Sequence, residues 1–192
     1  MIIGIIDCGG ANLNSIYYSF KRLGINTVIS NSKNELSGLD AYVLPGVGSA
    51  NAVMQCLRDK SLIDFIKNIT KPVLGICIGM QIMYEYSEEG DTQCLGIIDG
   101  KIKKFKSDKS LTVPQMGWNK LVCNDDLKSL NGHYYYANSF YTDSTDSAMG
   151  YTEYGVNCTS LVKKNNFIGC QFHPEKSSVN GEKFLQYFLT TA

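Results

Sequence analysis

Four short strand-forming runs occur before residue 77: Ile2–Ile6, Thr27–Ser30, Ala41–Leu44 and Val73–Ile76. Helical spacing appears between them. Ile16, Phe20 and Leu23 recur along one helix face up to the stop at Gly24, and Asn12 or Asn14 can cap that helix. Met54 with Leu57, then Leu62, Ile63, Phe65 and Ile66, mark further helical stretches. Strands alternating with helices as far as Tyr86 predict βαβ units, right-handed crossovers and a largely parallel sheet flanked by helices. Such sheets collect ligands at the carboxyl ends of their strands. Gly46 and Cys77 both fall at such ends.

The texture changes after Ser87-Glu88-Glu89-Gly90-Asp91. Runs at 101–106, 119–122, 134–141, 149–154, 159–162 and 167–172 are short, alternating and separated by turn residues. They predict an antiparallel or mixed extension of the sheet. A helix over 179–189 closes the chain, with Phe184, Leu185 and Phe188 on one face. Linkers, repeats and low-complexity tracts are absent from the sequence, so 1–192 reads as a single α/β domain.

Bulk properties exclude several classes of function. The chain carries 18 basic and 18 acidic residues and no Lys/Arg tract, which argues against nucleic acid or an anionic membrane as a main partner. No apolar run reaches the roughly 18 residues of a membrane helix. The stretch from Met1 to Asp7 lacks a basic leader and reads as a first strand. Seven cysteines without CxxC spacing and only two histidines leave no zinc pattern, so neither metal nor cofactor is expected. Reduced thiols in a cytoplasmic protein fit that usage. The glycines of Asp7-Cys8-Gly9-Gly10 form neither GxGxxG nor a Walker pattern, and read as a plain strand-to-helix turn.

The chemistry gathers at Gly75-Ile76-Cys77-Ile78-Gly79-Met80-Gln81. A buried strand runs into Cys77, and the clustering of Met80, Ile82, Met83 and Tyr84 predicts the first turns of a helix after it. That is the layout of a nucleophile elbow with sulfur in place of a hydroxyl. Gly75 and Gly79 leave no side chains to collide with the turn, and N–H groups at the helix start favour a thiolate. A thiolate doing acyl chemistry needs a base. His133, in Asn131-Gly132-His133-Tyr134, reads as an exposed loop residue without an acid nearby. His173 lies in Phe167-Ile168-Gly169-Cys170-Gln171-Phe172-His173-Pro174-Glu175, which alternates as a strand. There Gln171, His173 and Glu175 share one face, so Glu175 can orient the imidazole. Nucleophile, base and orienting carboxylate make a triad of Cys77, His173 and Glu175.

Gly75–Gln81, together with Gln171-Phe172-His173-Pro174-Glu175-Lys176, resembles the triad-type (class I) glutamine amidotransferases. Three further segments are similar to the glutaminase subunits of imidazole glycerol phosphate synthase, of histidine biosynthesis. They are Pro45-Gly46-Val47-Gly48, Pro114-Gln115-Met116-Gly117-Trp118-Asn119 and the Asp7–Ser15 stretch. The resemblance runs nearly end to end. It implies glutamine hydrolysis through a Cys77 thioester, with the oxyanion held by the Ile78 amide and by a second donor in the turn at Val47. Glycines on both sides let the Val47 peptide take more than one orientation, so it is expected to act as a switch set by the partner. Gly46 and Gln81 are the expected substrate-binding positions. The implied partner is a TIM-barrel cyclase subunit, in a heterodimer that uses the ammonia. Met116, Trp118, Asn119 and Lys176 match family positions near that interface, and Asn12 and Asn14, at the same sheet end as Cys77, can also face the partner. Two positions depart from the pattern: Gln115 stands where a histidine usually follows the proline, and Asn138 replaces the histidine of Val-His-Ser-Tyr. A paralogous glutaminase feeding another barrel for surface-sugar amidation shares the chemistry and stays open at this point.

Overall fold

The computed structural model describes residues 1–9, 12–46, 48–106, 111–143 and 145–192. Its first half consists of β1 (Ile2–Ile6), α1 (Leu13–Arg22), β2 (Asn26–Ser30), α2 (Lys33–Leu36), β3 (Ala41–Leu44), α3 (Ala50–Asp59), α4 (Ile63–Lys67), β4 (Val73–Ile76) and α5 (Ile78–Gln81). The second half holds β5 (Tyr86–Ser87), β6 (Thr92–Gln93), β7 (Lys101–Lys104), β8 (Gln115–Cys123), β9 (Gly132–Asn138), β10 (Phe140–Tyr141), β11 (Ala148–Tyr154), β12 (Val156–Lys164), β13 (Phe167–Cys170) and α6 (Ser178–Thr190).

Among the described residues nine strands form one sheet in the order β2-β1-β3-β4-β13-β12-β11-β8-β9. The β2-β1-β3-β4-β13 portion is parallel. From β13 through β9 the pairing is antiparallel. The mixed extension is therefore real, with two corrections. The 101–104 strand belongs not to the extension but to a separate small sheet, β10-β7-β5-β6. The expected 134–141 strand also divides at Ser139, β9 staying in the large sheet and β10 pairing with β7.

Burial explains the parallel half. β3, β4 and β13 are buried at every position, as strands covered on both faces must be. The alternation expected for 167–172 is accordingly absent: Phe167–Cys170 has no exposed side. Successive strands are added toward one edge up to β2 and toward the other after it, so right-handed crossovers put α1 and the α3–α4 pair on opposite faces. α1 is capped by Asn12, whose side chain accepts from Ser15 N–H, and it buries Ile16 and Phe20. Phe20 meets Phe188 of α6, and Phe184 of α6 meets Phe172 just beyond β13. On the other face, Tyr42 of β3 packs edge-on against Phe65 of α4.

α5 is four residues long, shorter than the clustering of Met80 to Tyr84 predicts. The cause is competition for its carbonyls. Those of Ile82, Met83 and Tyr84 accept from Leu95, Ile97 and Gly96 of a returning segment, so no further helical turn forms. Among the described residues no helix is long and apolar enough to cross a membrane.

Candidate active site

The strand order brings the site together. β4 lies between β3 and β13, all parallel, with Leu44 beside Gly75 and Ile76 beside Cys170. Continuing each strand past its carboxyl end delivers Gly46, Cys77 and His173 to one place. Cys77 N–H donates to Cys170 C=O at 2.8 Å, which pins Cys77 to the neighbouring strand end.

Cys77 has φ 54° and ψ −109°. A non-glycine residue there costs on the order of 1–3 kcal/mol, and surrounding packing must hold it. The packing is visible at the glycines. A Cβ on Gly79 would sit 1.8 Å from Leu44 O, and one on Gly46 would sit 2.4 Å from Ile78 Cβ. The elbow thus rests directly on the backbone that leaves β3. Gly79→Ala is expected to lose at least about 3 kcal/mol of stability, because backbone has to move. Urea denaturation checks this, and an unchanged midpoint contradicts the packing argument.

His173 Nδ1 lies 2.8 Å from Glu175 Oε1, with both side chains nearly excluded from solvent, at 7% and 4% exposure. Glu175 reaches this position differently from the strand alternation expected: Pro174–Lys176 is a turn of 3-10 helix. A Cβ on Gly181 would sit 1.9 Å from Pro174 O, so α6 presses closely on that turn. His173 C=O also accepts from Ser177 Oγ, which in turn accepts from Tyr135 N–H. Burial opposes charge on the imidazole. The neighbouring Cys77 charge, a hydrogen bond with Cys77 and the Glu175 carboxylate outweigh it, and hold His173 above the ordinary histidine range. His133 is instead an exposed residue within β9, not a loop residue, and is paired across to Lys120.

A cavity of about 230 Å³ opens onto this group, and Gly46, Cys77, Ile78, Gln81, Glu89 and His173 contribute to its walls. Gln81 is 1% exposed and donates to Phe140 C=O at 3.2 Å and to Gln171 Oε1 at 2.8 Å. Its own Oε1 is buried and finds no partner among the described residues. Val47, the expected second oxyanion donor, lies outside the described residues, as do Gly10 and Ala11. No cluster of three or more His, Cys, Asp or Glu among the described residues is placed to hold a metal ion.

Sequence reasoning missed two groups here. Gln171 Nε2 stands 3.6 Å from Cys77 Sγ. Glu89 lines the cavity, and its Oε2 accepts from Ala50 N–H at the start of α3. Burial raises the Glu89 pKa more than that hydrogen bond lowers it. Gln171 was legible only as one residue of a strand face, and Glu89 sat in a polar turn with no periodic signal.

The expected interface residues divide into groups. Met116 and Trp118 are exposed on β8, at 68% and 55%. Trp118 meets Tyr135 edge-on, and Lys176 Nζ lies 5.8 Å from the centre of the same ring. Asn119 points to the other face of β8, and its side chain donates to Glu153 C=O. Asn12 and Asn14 are exposed at the start of α1. The two departures from the family pattern form one pair: Gln115 and Asn138 stand opposite each other across β8 and β9. Gln115 Nε2 and Asn138 Oδ1 are both buried without a partner among the described residues.

A thiol in an elbow, an imidazole and a buried carboxylate come together at parallel strand ends. The family profile "Glutamine amidotransferase class-I" matches residues 4–192. The chain is 44% identical over 192 residues to imidazole glycerol phosphate synthase subunit HisH of Haemophilus influenzae, covering 97% of this chain and 96% of that one. It is 42% identical over 191 residues to subunit HisH 2 of Campylobacter jejuni, covering 98% of each. Among solved structures, a glutamine amidotransferase superimposes with TM-score 0.79 at 18% identity, over 100% of this chain and 98% of that one. PurLQS from Thermotoga maritima gives 0.72 at 18% identity, over 98% and 97%. These two likenesses concern the fold alone. The chain belongs to the class-I glutamine amidotransferase family, among the HisH subunits.

Proposed function

We propose that the chain is the glutaminase subunit of an imidazole glycerol phosphate synthase, and that residues 1–192 act as one glutamine amidotransferase domain. The observation that carries this reading is that Cys77 and His173 line one cavity, with the imidazole paired to the buried Glu175 carboxylate. Cys77 thiolate attacks the side-chain carboxamide carbon of glutamine. The C=O electrons move onto oxygen, where the Ile78 N–H, at the first position of α5, is free of an intrahelical acceptor and can donate. Val47 N–H is the proposed second donor. The imidazolium of His173 gives its proton to the amide nitrogen, the C–N bond breaks, and ammonia leaves. Water then attacks the thioester while His173 takes its proton. The C–S bond breaks, releasing glutamate and restoring the thiolate.

Gly46 and Gln81 are assigned to substrate binding, and Gln81 Oε1 supplies an acceptor for a substrate N–H. Glu89 is a suitable counter-charge for the α-ammonium of glutamine. Ammonia is protonated and lost in water near neutral pH, so the reaction needs an adjacent acceptor enzyme. The proposed partner is a TIM-barrel cyclase in a heterodimer. It makes imidazole glycerol phosphate and an aminoimidazole carboxamide ribotide in histidine biosynthesis, in the cytoplasm. The exposed Met116, and Trp118 with Tyr135 and Lys176, provide the apolar and aromatic surface such a contact uses. Asn12, Asn14 and Asn119 are proposed to lie at its edge.

The test is glutamate release with and without a histidine-pathway cyclase and its nucleotide substrate. Stimulation of at least about tenfold, a coupling of ordinary size, is the expected result. The paired change at Gln115 and Asn138 favours one competitor, a paralogue serving surface-sugar amidation. No stimulation by a folded, loaded cyclase would favour that competitor and contradict the pathway assignment.

A further inference from the structure

The sulfur of Cys77 meets a second side-chain donor besides the imidazole. Gln171 is buried and places Nε2 3.6 Å from Sγ. An amide side chain can present either its NH2 or its oxygen, and here the surroundings decide which. Phe140 C=O can only accept, and Gln81 Nε2 donates to it at 3.2 Å. That fixes the NH2 end of Gln81 on the side facing Gln171. The same NH2 donates its other hydrogen to Gln171 at 2.8 Å, so the group facing it must be the Gln171 oxygen. The Gln171 NH2 is left pointing at sulfur. One backbone carbonyl thus sets the polarity of a relay two side chains long.

We propose that Gln171 is a further catalytic residue, whose amide N–H donates to the Cys77 sulfur, and that Gln81 acts through it as a positioning residue. A donor at this spot favours a thiolate over a thiol, because a thiol sulfur is a weak acceptor and a thiolate a strong one. In the Cys77–glutamine reaction, which rests on the glutaminase reading above, the bond matters twice. It holds the anion ready before attack. It also stabilises sulfur again when the C–S bond of the thioester breaks and the electron pair returns to it.

Alkylation by iodoacetamide tests the bond without depending on that reading, since it needs only the thiolate, which forms an S–C bond as iodide leaves. The full chain is alkylated across a pH series, and the rate is read at Cys77 by mass spectrometry. Gln171→Glu is nearly isosteric and keeps an acceptor for Gln81, but turns an oxygen toward sulfur. Gln171→Met removes the polar contact. In both, the acid limb of the Cys77 rate profile is expected to move to higher pH, with a loss of about tenfold at neutral pH. Gln81→Met, which frees Gln171 to turn over, is expected to move it the same way by less. Glutamate release should lose kcat with KM changed by less than about twofold, the pattern of an interaction lost at the reacting atom. An acid limb that stays in place in folded Gln171→Glu or Gln171→Met protein overturns the proposal, even where melting temperature falls. Should the wild type release no glutamate, the glutaminase reading fails, while the alkylation profiles still decide the role of Gln171.

Discussion

Cys77→Ala protein is expected to fold as the wild type does and to release glutamate at least about 10⁴-fold more slowly. The effect is this large because the remaining residues have no substitute for the lost bond-forming atom. His173 can activate water, but direct attack by water lacks the covalent route through a thioester that sulfur provides. Cys170 is near, yet its sulfur is fully buried, its thiol donates to Phe172 C=O and burial pushes its pKa well up. Alanine keeps the Cβ of cysteine, so the positive φ at position 77 costs about the same in both proteins and the fold is a fair control. Steady-state glutamate release with a matched melting curve measures the outcome. Near-wild-type turnover would remove Cys77 from the chemistry.

Glu175→Gln should lower kcat by about 10³- to 10⁴-fold with little change in KM, the size seen when a triad carboxylate becomes an amide. The reason lies in the 2.8 Å contact between Nδ1 and Oε1. A carboxylate only accepts, so it keeps the proton on Nδ1 and leaves Nε2 to exchange protons with sulfur, ammonia and water. An amide NH2 facing Nδ1 reverses the tautomer and removes the charge that stabilises the imidazolium. Burial strengthens the effect, since no solvent replaces the lost charge in a pair this enclosed. His173 should then fall back toward or below the ordinary histidine range, because burial is the largest single influence on it and acts downward. The alkaline limb of kcat/KM should accordingly shift to lower pH. A variant that keeps its rate and pH profile would mean that Glu175 only fills space.

How much of this was readable depends on how locally each feature is encoded. The elbow was legible at Cys77 because strand, nucleophile and flanking glycines lie within a few consecutive residues. The contact that demands Gly79 is nonlocal, however: its Cβ would meet Leu44 O, on a strand more than thirty residues away. Glu175 was identified by a spacing argument that assumed an extended strand, while the chain uses a 3-10 turn. Two positions apart suffices in either conformation when the turn is braced, as it is by Gly181 and Ser177. Gln171 was missed because its role follows from register: β13 lies beside β4 with Cys170 against Ile76, which carries the next residue on each strand into contact. The β5 and β6 strands were missed because two residues cannot carry a period, and β10 was read as the end of one 134–141 strand. The truncation of α5 depended on 95–97, whose N–H groups take carbonyls that an isolated reading gives to the helix.

A covalent glutamyl thioester on Cys77 can be trapped during turnover. Carboxyl-labelled glutamine is mixed with the protein, in the presence of the loaded cyclase, and quenched in acid during turnover, and the label is mapped by mass spectrometry. The glutamyl adduct is expected on Cys77 and is expected to be absent from Cys77→Ala. Turnover of glutamine with no adduct at Cys77, or with the adduct on another residue, would contradict the thioester mechanism.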